Sequence, residues 1–260
     1  MNTALRPSLR AALCVSALIF AAGAEARAQE FEGLVRIRLI DVDVDRAREL
    51  QNVQVSALLA LPTDYLLQLK DRNGSPAVST SLRTYLIKDR RIRLEADQGD
   101  ESAYTLINLD DATIRIVSPE SESYVELSIP EMTRPLFPML QVGGYTVRPL
   151  NETRRINGMN ASGYEAVAED NTVHAWLTQE FPALTRLLSD LARTIPMPNP
   201  TAEERILGLA QLGAPVLVQL VDMDGKKLDD YEVQEIIAIQ LQSLDSRLFT
   251  VPEGYKRVDP

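Results

Sequence analysis

The chain holds one cysteine, one histidine and one tryptophan, and aromatic residues make up only 5% of its 260 positions. Each scarcity removes a class of function. The lone thiol, Cys14, lies within the first 28 residues, so a chain processed after Ala28 forms no disulfide and carries no thiolate nucleophile. His174 alone would have to serve any serine-type triad, imidazole metal site or neutral-pH proton shuttle. It stands in Thr172-Val173-His174-Ala175-Trp176-Leu177, an alternation that places it on one strand face with Thr172 and Trp176, and it reads as a strand histidine without chemistry. Long apolar runs are missing too: none approaches the roughly 20 residues of a membrane-spanning helix, so no integral membrane segment is expected. The expectation is a non-enzymatic protein with no cofactor and no metal.

What is present begins with an export signal. Arg6 and Arg10 precede the apolar run Ala11 to Ala22, and Ala26-Arg27-Ala28 forms an A-x-A cleavage signature. Residues 1–28 are therefore read as a signal peptide, with a periplasmic mature chain starting at Gln29 and forming one domain over 29–260. Ala12 and Leu13 do not make a lipobox before Cys14. Loss of Arg6, Arg10, Arg27 and Glu25 takes the formal net charge from −10 to −12. So acidic a chain is repelled by nucleic acid and by anionic membrane surfaces, since both associations depend on neutralising phosphates.

Strand and helix periods alternate along the chain. Residues 31–42 show a two-residue alternation; from Arg46 the apolar positions Leu50, Val53, Ala57, Leu58 and Leu61 recur at helical spacing until Pro62, and a second short helix is expected from Thr63 or Asp64 toward Asn73-Gly74. Short strands follow at Arg83 to Lys88, Arg91 to Ala96, Tyr104 to Leu109, Thr113 to Val117 and Tyr124 to Ile129, separated by tight polar links that suit an antiparallel meander. After the proline-rich stretch Pro130 to Pro138 the meander resumes with Tyr145 to Pro149, a hairpin at Ile156-Asn157-Gly158, Gly163 to Ala168 and Thr172 to Thr178. Two helices interrupt it. Leu184, Leu187, Leu188, Leu191 and Ile195 form the stripe of one, and a capping box at Thr201 and Glu204 opens the other, which stops at Gly213. Strands Val216 to Met223 and Tyr231 to Gln240 close the chain through a turn at Asp224-Gly225. The fold class is α+β, a single curved antiparallel β-sheet covered by helices.

Few residues carry a chemical signal. The leucine stripe Leu184, Leu187, Leu188 and Leu191, with Trp176, either packs a core or lines a cavity for an apolar ligand. Arg90, Arg91 and Arg93, near Arg83 and Lys88, either hold an anionic headgroup or pair with neighbouring carboxylates. Asp222-x-Asp224-Gly225 fails as a calcium loop, because with Gly225 at the sixth place Leu220 and Tyr231 occupy the first and twelfth. Asp41, Asp43 and Asp45 alternate at a strand end, where they are expected to cap Arg46 onward and solvate the edge.

Three stretches resemble a known family. They are Thr84 to Glu95 (TYLIKDRRIRLE), Ile156-Asn157-Gly158 with Gly163-Tyr164-Glu165 and Val173 to Thr178, and Leu248 to Lys256 (LFTVPEGYK). Together they are similar to a family of exported bacterial proteins of unknown function whose fold is similar to the LolA and LolB lipoprotein carriers. The resemblance implies a half-open LolA-like barrel whose helical cover encloses an apolar cavity able to receive lipid or lipoprotein acyl chains. Residues 43–80 then read as a helical insertion, and the family's cysteine has no equivalent near Tyr164. A second reading uses the same fold as an envelope protein-protein interaction or sensor module. Gly163-Tyr164 and Leu248 to Tyr255 are expected to be structural, with Phe249 buried.

Overall fold

The computed structural model describes residues 30–96, 103–133, 146–167, 171–195, 211–225 and 227–259. The expected signal peptide, most of the proline-rich stretch after Pro130 and the helix expected from Thr201 lie outside them. Twelve strands form one sheet: β1 (Glu32–Val42), β2 (Val78–Lys88), β3 (Arg91–Ala96), β4 (Tyr104–Asn108), β5 (Thr113–Ser118), β6 (Ser123–Ser128), β7 (Thr146–Ile156), β8 (Met159–Val167), β9 (Asn171–Thr178), β10 (Ala214–Asp224), β11 (Lys227–Leu241) and β12 (Lys256–Val258). Their spatial order is β12-β6-β5-β4-β3-β2-β1-β11-β10-β9-β8-β7. All neighbours are antiparallel except β12, which runs parallel to β6. The sheet is thus two meanders, β1–β6 and β7–β11, joined along β1 and β11, and it does not close into a barrel.

Turn chemistry explains the meanders. At the β7–β8 hairpin, Asn157 and Gly158 take φ of 48° and 87°, the left-handed pair that matches the twist of two-residue hairpins. The β10–β11 turn is shifted by one residue from the sequence expectation. Asp224 pairs with Lys227, so Gly225, at φ 60°, occupies the first loop position and Asp224 belongs to the strand.

The helical content is lower than the sequence pattern suggests. Between β1 and β2 the single long helix expected from Arg46 to Pro62 is replaced by a 3-10 turn Arg48–Leu50 and a one-turn helix Val55–Leu58, and the second helix, expected from Thr63 or Asp64 toward Asn73-Gly74, is the single turn Thr63–Leu66. Asn52, Val53 and Val55 are weak helix formers, and pieces this short do not repay nucleation by themselves. Burial holds them instead: Leu50, Leu58, Leu59, Leu66 and Leu69 are sealed into the main core with Ile40 and Val42 of β1 and Val221, Tyr231 and Val233 of β10 and β11. The Tyr231 hydroxyl donates to the Leu58 carbonyl at 2.8 Å and accepts from Gln219 Nε2 at 3.2 Å, tying the segment between β1 and β2 to the sheet. β2 begins at Val78. Pro182–Thr194 is the one long helix among the described residues.

Leu248 to Tyr255 lies against the sheet rather than within it. A 3-10 turn, Ser246–Phe249, places Phe249 in a buried position, and Val251 and Tyr255 pack on Tyr104, Leu106 and Val117.

Candidate functional site

The helix Pro182–Thr194 starts at a proline, whose missing N–H costs nothing in a first turn. Its apolar stripe is unevenly covered. Leu184, Leu187 and Ala192 are buried, whereas Leu188 and Leu191 are only half-buried. Leu188 and Ala192 pack over Val173, Ala175 and Leu177 of β9 and Val218 of β10, with Tyr164, Ala166, Leu212 and Leu220 at the margin. Polar ties hold both ends of the helix. Just before it, the Glu180 carboxylate accepts from the Asn160 backbone and side-chain N–H groups, both at 2.8 Å. Farther along, Arg90 in the β2–β3 turn bridges Asp190 of the helix and Asp110 of the β4–β5 turn.

Trp176 is buried in the same core cluster as Leu184 and Leu187, with Leu188 and Leu191 packed against it. On a strand successive side chains alternate, so Trp176 leaves β9 on the face opposite Val173, Ala175 and Leu177. It is fully buried there, under the Arg154 guanidinium at 4.0 Å from the ring centroid. Gly163, its cross-strand neighbour, leaves room for the indole: a Cβ would sit 2.8 Å from Trp176 Cζ3. Leu188 packs against both the cluster that holds Trp176 and the smaller one formed by Val173, Ala175, Leu177, Ala192 and Val218.

The arginine trio is committed to internal partners. Arg91 meets Asp89 at 3.1 Å and lies 5.7 Å from the Phe249 ring centroid. Arg93 pairs with Glu95 at 2.7 Å, donates to the Leu248 carbonyl at 3.2 Å and stacks on Tyr104 at 3.7 Å. Arg91 and Arg93 thereby fasten the C-terminal segment to the sheet, while Arg90 fastens the helix. An anion docking at this patch would have to displace those contacts.

Two further groups were not singled out in the sequence. One is a row that crosses four strands in register, Arg148, Glu165, His174 and Gln219. Glu165 accepts from Arg148 Nε at 2.7 Å and sits 3.1 Å from His174 Nε2. Burial works against the Glu165 carboxylate, yet the bonds from His174 and Arg148 hold it below its ordinary pKa. Gln219, at the inner end, is 1% exposed. The other group lies on the opposite face of the same strands, where Asp41 stands across from Glu232 and Asp222 across from Asp230. Burial, then the neighbouring carboxylates Asp230 and Asp41, push Glu232 up to about 8 against the pull of Arg83. Burial and Asp41 push Asp230 up to about 6. Strand alternation in Asp230-Tyr231-Glu232 was the available signal, but partners about 190 residues away in the chain cannot be read from spacing. Asp43 does cap Arg46, accepting from its backbone N–H at 3.2 Å, whereas Asp41 lies inside a central strand rather than at an edge.

Comparison with known proteins places the chain in a family but names no activity. No curated protein sequence matches it. Among solved structures, an uncharacterized conserved protein from Thermus thermophilus is 8% identical, with a TM-score of 0.41 over 87% of this chain and 90% of that one. PNGF-II is 11% identical with a TM-score of 0.37 over 88% of this chain, which spans 31% of its length. Neither is named as a lipoprotein carrier, and the LolA-like helical cover rests on the sequence resemblance alone. The DUF4412 family, a domain of unknown function, matches residues 69–255, and the chain belongs to it.

Proposed function

We propose that the mature chain is an exported, non-enzymatic periplasmic protein that binds an apolar ligand, a lipid or the acyl chains of a lipoprotein, against one face of its open sheet. The supporting observation is an apolar surface that grades from sealed to open. In register across β1–β6 run two adjacent rows, Gly33-Ile87-Ile92-Ile107-Ile114-Leu127 and Val35-Tyr85-Leu94-Thr105-Ile116-Val125. Val35, Ile87, Ile92 and Ile114 are buried, Leu94, Val125 and Leu127 are half-buried, and Ile116 is 39% exposed. The same face continues to β8–β10, where the half-buried Leu188 of the helix lies on it. Apolar surface of this kind in a soluble domain suits a lipid chain, because its burial yields roughly 25 cal/mol per Å².

Titration with fluorescent fatty-acid probes tests the reading. The folded, monodisperse mature protein is expected to bind such a probe. Leu188→Glu is expected to stay folded with weakened binding, since water reaching a ligand-accessible space can solvate the carboxylate. Unfolding of Leu188→Glu would instead mark the stripe as solid core. No probe binding across a range of acyl lengths refutes the proposal, and native mass spectrometry of the purified protein gives an independent check through copurifying lipid.

A further inference from the structure

Among the described residues, the two meanders of the sheet are hydrogen-bonded strand to strand along the ladder between β1 and β11. On that ladder Asp41 is directly opposite Glu232, and on the adjoining ladder Asp222 is directly opposite Asp230. Positions i and i+2 of a strand share a face, so Glu232 and Asp230 bring all four carboxylates to one side of three central strands. Like charges set directly opposite one another repel, in contrast to the opposite-charge pairs that stabilise sheets. Leu39 and Leu220 flank the group in register and offer it no hydrogen bond. Among the described residues, those acting on Glu232 are Asp230, Asp41 and the cation Arg83 of β2, and those acting on Asp230 are Asp41, the Tyr231 backbone N–H, which donates to it and favours its charged form, Asp222 and Asp229. Lys227 of β11 reaches Asp45 at 3.7 Å. Arg38, Glu235 and His174 lie on the other face of their strands.

We propose that this carboxylate group is a pH-sensitive seam, closed by protons on Glu232 and Asp230 in mild acid and loosened between the two meanders as the pH rises. The direction follows from linkage. A carboxyl whose folded pKa stands above its unfolded one binds more protons in the native state, so its contribution is complete below the unfolded value and is lost as pH climbs through the folded value. For Asp230 that loss ends near about 6 and for Glu232 near about 8, which sets the window from the ordinary carboxylate range to mildly alkaline pH.

The experiment compares wild type, Glu232→Gln and Asp41→Asn by thermal unfolding and native-state hydrogen exchange from about pH 4.5 to 8.5. Wild type is expected to lose several degrees of Tm across that range. Amides of β1 and β11 should become less protected, after correction for intrinsic exchange, while those of β4 and β5 change less. Glu232→Gln should flatten the profile and exceed wild type at the alkaline end, and Asp41→Asn should do so in part by removing the facing charge. Equal pH slopes in all three proteins, or a loss of protection spread evenly over both meanders, would overturn the proposal. If Glu232→Gln does not fold, Asp41→Asn decides alone.

Discussion

The strands β8–β11 carry charge on both faces, and the two faces treat it in opposite ways. On one, Glu165 receives hydrogen bonds from His174 and Arg148 and its pKa falls. On the other, Glu232 faces Asp41 and lies near Asp230, and its pKa rises to about 8. The side chains are the same, and their strands, β8 and β11, belong to one meander of the sheet. What differs is whether the register delivers a donor or another acceptor. A buried carboxylate given donors stays charged and organises its surroundings, whereas one on which burial and like charge outweigh a single cation keeps a proton. The paired face also contains Trp176, clamped by Arg154, so its polar row borders a filled apolar layer.

Four substitutions on the paired face would break or sharpen this contrast. The largest effect is expected from Trp176→Ala, which empties a fully buried site and should cost about 3 to 5 kcal/mol in urea unfolding. A midpoint close to wild type would mean that the indole is not part of the sealed layer. Gly163→Ala comes next, at about 1 to 3 kcal/mol, because the new methyl drives into the indole; crystal structures of the variant should show Trp176 displaced. Glu165→Gln is expected to cost about 1 kcal/mol through weakened bonds to Arg148 and His174. Its pH dependence is the sharper reading. Since folding lowers the Glu165 pKa, its contribution is present above the unfolded carboxylate value and lost as pH falls through the folded one, opposite in sign to Glu232. Tm profiles of Glu165→Gln and Glu232→Gln against wild type should therefore diverge in opposite directions, and parallel curves would erase the contrast. Arg148→Ala should matter least, about 0.2 to 1 kcal/mol and less in high salt, because the Arg148 side chain is 68% exposed.

Strand periodicity and turn chemistry were legible along most of the chain. β3 spans Arg91–Ala96, as the alternation predicts, and Asn157-Gly158 turns the hairpin where those residue types require it. The leucine stripe likewise marks the helix Pro182–Thr194. The segment after β1 was less legible, since apolar residues spaced by threes and fours fit several short turns packed on a core as well as one helix. The candidate site was legible only in its local parts. Arg90, Arg91 and Arg93 stand together in sequence, yet their partners Asp190, Phe249 and Leu248 come from segments far along the chain.

By itself the sequence determined what is set within a few residues: which segments extend, where hairpins turn and which stripe is apolar. The order of strands was a tertiary decision. β1 lies ahead of the matched family region 69–255, yet it sits between β2 and β11 and joins the two meanders. That placement puts Asp41 against Glu232, just as the fold of β7–β10 puts Glu165 between Arg148 and His174. Backbone propensity acts over one turn or one strand, whereas the protonation of a carboxyl depends on charges and burial a few ångströms away in space, and only the folded register decides what those are.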